Sequence, residues 1–128
     1  MKSIIHEFKD IIQELEKDGI VVRDIHGTLI EDIEIRTEKD WNEVYHKEIP
    51  ALIREVLREI SFECKIMHLK DDVRLPEYLV ELYRDGKYFG YLELEIDYDH
   101  ELNEVILLLV RGYKESIPVG LIPYYHYV

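Results

Sequence analysis

The chain has 128 residues, enough for one hydrophobic core, and 47% of them are apolar, which excludes an intrinsically disordered chain. Its 28 Asp and Glu against 16 Lys and Arg give a formal net charge of −12, which argues against direct binding to nucleic acid or anionic lipid. No apolar run approaches the ~20 residues of a membrane-spanning helix.

Cys64 is the single cysteine, so an internal disulfide is excluded. The N-terminal stretch carries acids throughout and lacks a small-residue cleavage site, and the expected compartment is the reducing cytoplasm. One Gln and two Asn among many Glu and Lys lean towards the composition of a heat-adapted protein.

In chain order, residues 2–17 read as an amphipathic helix. Ile4, Ile5, Phe8, Ile11, Ile12 and Leu15 recur at three- and four-residue spacing, and Gly19 stands where a helix stop belongs. The β-branched run that follows predicts a hairpin with arms near 20–25 and 28–36, turning at His26-Gly27. Thr37 is an expected N-cap for a central helix that Pro50 either kinks or restarts. Its apolar face continues through Leu52, Ile53, Val56, Leu57 and Ile60.

Residues 61–69 alternate as a strand. Asp85-Gly86, between two β-rich arms, is the strongest hairpin signal of the chain, although Pro76 also permits a short helix over 76–84. Glu104 to Tyr113 is a strand apolar on both faces between Val105 and Val110, as an internal one would be. The apolar tail, interrupted by Pro118 and Pro123, predicts an edge strand or a packed extension. The fold expected is a single α+β domain over 1–128. It joins an N-terminal helix and β-hairpin, a Pro-broken central helix and a C-terminal antiparallel meander packed on the helices.

The string GIVVRDIHGTL resembles the first motif of the haloacid-dehalogenase-type phosphatases through Asp24, Gly27 and Thr28. The resemblance implies Asp24 as the nucleophile toward phosphorus, a bound magnesium and a parallel sheet. His26 stands where that family carries its second Asp, and a strand-like run follows Thr28, so a plain hairpin turn is the expected reading. Asp97, Asp99, His100 and Glu101 form an oxygen-rich loop, but Leu102 and Leu108 occupy the places where a calcium loop needs Gly and Glu. A solvated loop is therefore expected there. The histidines at 6, 26, 46, 68, 100 and 126 make no His-x-His or His-x-x-x-His pair, so local spacing supports neither a metal nor a cofactor. Cys64 falls in an apolar register and reads as a core residue.

The acidity is concentrated. Residues 71–104 hold eleven acids against three bases, −8 of the chain's −12. Strand alternation after Tyr91 sends Leu92, Leu94 and Ile96 to one face and Tyr91, Glu93, Glu95 and Asp97 to the other. Asp99 and Glu101 extend that row, and Arg84 is the expected cross-strand base. Nine of the ten tyrosines lie between 78 and 127, and tyrosine is common at interface hot spots. The leading expectation is a non-enzymatic module, of an inhibitor, antitoxin, immunity-protein or nucleic-acid-mimic kind. It would engage a basic protein surface through Tyr91, Glu93, Glu95, Asp97, Asp99 and Glu101. The alternatives are a small metal-dependent hydrolase using Asp24 and His26, or Asp97, Asp99 and His100, and a homodimer formed through the apolar tail.

Overall fold

The computed structural model describes residues 2–25, 43–70, 76–99 and 104–128, with backbone alone at 2, 3, 97–99 and 104–108. The expected second hairpin arm at 28–36, the cap at Thr37, and His26, His100 and Glu101 lie outside the described residues.

Helix α1 (Lys2–Asp18) buries Ile4, Phe8, Ile11, Ile12 and Leu15 in one stripe, as its spacing predicts. It stops at Gly19, whose N–H returns to the Leu15 carbonyl at 2.8 Å. A second helical run begins as a π-turn over Val44–Glu48 and continues as α2 (Ile49–Glu59). The proline explains the change of pitch. In an α-turn the ring of Pro50 would meet the carbonyl of His46, four residues earlier, and Pro50 has no N–H to give it. The wider turn just ahead relieves that clash, with Ile49 N–H donating five residues back to Val44. The helix ends where Ser61 turns left-handed at φ 68°, and Phe62 N–H closes on the Leu57 carbonyl at 2.9 Å.

Among the described residues six strands form one antiparallel sheet: β1 (Ile20–Asp24), β2 (Glu63–Leu69), β3 (Tyr78–Arg84), β4 (Lys87–Asp99), β5 (Glu104–Tyr113) and β6 (Tyr125–Tyr127). Their order is β1-β5-β4-β3-β2-β6, so the meander β2 to β5 is flanked by the first and last strands of the chain. The Asp85-Gly86 turn is a hairpin with both residues at positive φ, 53° and 77°, the geometry that matches strand twist. Residues 78–84 are thus strand and not helix. The tail is both things expected of it, with β6 at one edge and Ile117 packed on the sheet.

The two helices cover one face of the sheet, α1 over β1 and α2 over β2. Gly112 leaves room for its cross-strand neighbours: a Cβ there would lie 2.7 Å from Val21 and 3.0 Å from Leu92. The main core lies in this layer and includes Phe8, Val56, Leu57, Tyr78, Val80, Leu92 and Leu94. The other face carries a smaller cluster of Met67, Leu69, Leu79, Tyr91, Ile117 and Tyr125, closed by the tail. No helix among the described residues is long and apolar enough to cross a membrane.

Candidate metal centre

Strand alternation decides what meets under the helices. On β2, Cys64, Ile66 and His68 face the helical layer while Met67 and Leu69 face the tail. The antiparallel register sets His126 of β6 directly opposite His68, on the same side of the sheet. Above them the π-turn brings down His46. These three residues, separated by 22 and 58 positions in the chain, place one ring nitrogen each within 4.8 Å of the others.

The rings form a compact set. Centroids lie 4.4 Å apart for His46 and His68, 5.2 Å for His46 and His126, and 5.9 Å for His68 and His126. His68 forms the floor at 4% exposure, and His46 and His126 are half-buried above it. Two tyrosines wall the inner side, Tyr45 at 5.5 Å and Tyr78 at 5.1 Å from the His68 ring. The Tyr78 hydroxyl donates to the Tyr45 carbonyl at 2.9 Å, tying β3 to the π-turn.

The C-terminal strand is held on both sides of His126. Lys70 N–H donates to the Tyr124 carbonyl at 2.8 Å and Val128 N–H to the Ile66 carbonyl at 3.0 Å, while the Arg54 guanidinium donates to the Val128 oxygen. Burial pushes the His126 imidazole below its ordinary pKa, with the His46 ring and the Lys70 ammonium acting in the same direction. That favours the neutral ring, the form with a lone pair on one nitrogen.

Zinc binds imidazole nitrogen at about 2.0–2.1 Å, which sets tetrahedral nitrogens about 3.4 Å apart. Closing from 4.8 Å requires each ring to move inward by about 1 Å, within the reach of small χ rotations. No further His, Cys, Asp or Glu joins the set among the described residues.

Tyr91, Glu93 and Glu95 of the acidic row lie on the opposite face of the sheet. Tyr91 is 4% exposed there, stacked on Tyr113 at 5.1 Å under the tail. Glu93 and Glu95 are half-buried on the stretch that the tail leaves open. The base beside them is Arg111, 2.5 Å from Glu95 and directly opposite Glu93 in the ladder. Arg84 has another place, because alternation turns it to the helical face. It lies 4.2 Å from the Phe62 ring centre and 3.7 Å from Glu16. Burial raises the Glu93 carboxyl above its ordinary pKa, against the opposing pull of Arg111 and of a hydrogen bond from Tyr113. Burial also raises Tyr91, and the Glu93 charge adds to it. Asp97 and Asp99 stand opposite Leu107 and Glu104, and Asp24 opposite Leu109.

One hint of the histidine cluster was present in the sequence. His68 continues the apolar period of Cys64 and Ile66, which puts a titratable ring at a core position. Its partners could not be read, because β6 has only three residues and pairs with β2 across a long separation in the chain, His68 with His126. Comparison with protein-family models, with curated proteins and with solved structures finds no match.

Proposed function

We propose that this protein binds a divalent transition-metal ion, Zn²⁺ foremost, through His46, His68 and His126. The observation that carries the reading is the convergence of three imidazole donors from three separate elements onto one point, with one of them in the protein interior. Imidazole suits zinc, copper, nickel and iron, whereas magnesium and calcium prefer oxygen. The π-turn that carries His46 supports the reading, since such turns occur frequently at functional sites.

Untagged protein titrated with Zn²⁺ by calorimetry is expected to take up one ion per chain. Free Zn²⁺ at a hundred times Kd is expected to add about 2.7 kcal/mol of stability. His46→Ala and His126→Ala, both at half-buried positions, are expected to keep the fold and lose most of that gain. Saturating Mg²⁺ is expected to give none. The proposal fails if Zn²⁺ raises the melting temperature of the double variant as much as that of the parent.

A second reading rests on the opposite face, where Arg111 stands between Glu93 and exposed Val22, and Ile20 is exposed on the same β1 strand. Carboxylates one strand in from an apolar edge suit a basic protein partner. Charge reversal at Glu93, Glu95 and Asp97 is expected to abolish salt-sensitive association with such a partner. Unchanged association at low salt would remove this reading.

A further inference from the structure

Resting on the metal reading above, we infer that the ion held by His46, His68 and His126 keeps one exchangeable coordination position on the solvent side, and that this position takes a small monodentate anion beside Lys70.

The donor set leads to it. A tetrahedral ion needs four ligands, and the described residues supply three. Structural zinc sites are closed by four protein donors, whereas three-donor sites complete the shell with water or an exogenous ligand. Tyr78 packs against the His68 ring, and its hydroxyl donates to the Tyr45 carbonyl. His68 and the two tyrosine rings occupy the inner side, while His46 and His126 reach the surface. The remaining position therefore faces outward.

Charge selects the ligand. Lys70 follows β2 immediately, two positions on from His68, and its N–H bond to Tyr124 continues the pairing that sets His126 in place. Its side chain is exposed, and its backbone is fixed two residues from His68 and beside the strand that carries His126. A divalent ion and an ammonium on one side favour an anion over neutral water, although the chain as a whole is acidic. Residues 49–70 and 105–128, which supply two of the three histidines, each carry a net charge of +1.

The test uses full-length, untagged protein loaded with Co²⁺, whose visible d–d bands report coordination number and ligand type. Sodium azide is the probe. The expected result is a saturable change in those bands on adding azide, with Co²⁺ still bound. Lys70→Gln is expected to weaken azide by roughly twofold to fivefold, the range of an exposed charge pair, without weakening Co²⁺. Bound Co²⁺ with bands indifferent to azide overturns the exchangeable position and leaves the metal site standing. Absence of Co²⁺ binding removes the metal reading itself. Equal azide affinity in the Lys70→Gln protein overturns the part assigned to Lys70.

Discussion

The two faces of the sheet are closed by different means. On one, two helices lay continuous apolar stripes over five strands, and the layer beneath holds the main hydrophobic core. On the other, a tail of coil and a three-residue strand cover Met67, Leu69, Leu79 and Tyr91, leaving the β4–β5–β1 end to charged side chains. The first face is what folds the chain. The second depends on the position of the tail, and so on β6. Because neighbouring strand residues point opposite ways, Tyr125 seals the second face while His126 joins the histidines under the first. One short strand serves both layers.

Cutting into each face tests that asymmetry. The largest effect is expected from Phe8→Ala, which empties a fully buried site on the helical face and should cost about 3–5 kcal/mol in denaturant unfolding. Ile117→Ala removes the apolar contact through which the tail grips the second face. It should cost about 2 kcal/mol, and a loss equal to that of Phe8→Ala would refute the ranking. Tyr125→Phe deletes the hydroxyl that donates to the Pro76 carbonyl at 2.6 Å, a loss of about 1 kcal/mol.

The smallest effect is expected at Glu93, and its sign depends on pH. The folded protein holds this carboxyl above its ordinary pKa, so the fold favours the protonated form. That contribution is complete below the unfolded pKa and is lost as pH rises through the folded value. Glu93→Gln mimics the protonated side chain. It should therefore raise the melting temperature slightly at pH 7 and leave it unchanged near pH 4. A variant less stable at pH 7 would show that attraction to Arg111 outweighs burial.

Most of the architecture was legible because local rules and tertiary packing agree. The stripe of α1, the Asp85-Gly86 hairpin, the strand over 63–69 and the bounds of β5 each follow from period or turn chemistry within a dozen residues. Pro50 was legible as an interruption, but the π-turn it induces was not, since period alone does not distinguish a widened turn from a break. The acidic row could be placed on one face by alternation, yet its exposure could not. Whether Tyr91 meets solvent depends on where a tail more than twenty residues later comes to rest. The histidine centre was illegible for a related reason. Its spacing is a property of the sheet order β3-β2-β6 and of a helix crossing, and neither is written in the sequence around any one histidine.

The shortness of β6 has a consequence for hydrogen exchange. Only three residues pair with β2, so this unit should open by local fraying well before the sheet unfolds. Its amides, Val128 N–H among them, should exchange faster than those of β3 and β4. An ion held between His46, His68 and His126 would pin the strand from its helical side and slow those amides selectively. The protection pattern along the last strand would then report metal occupancy in solution, residue by residue.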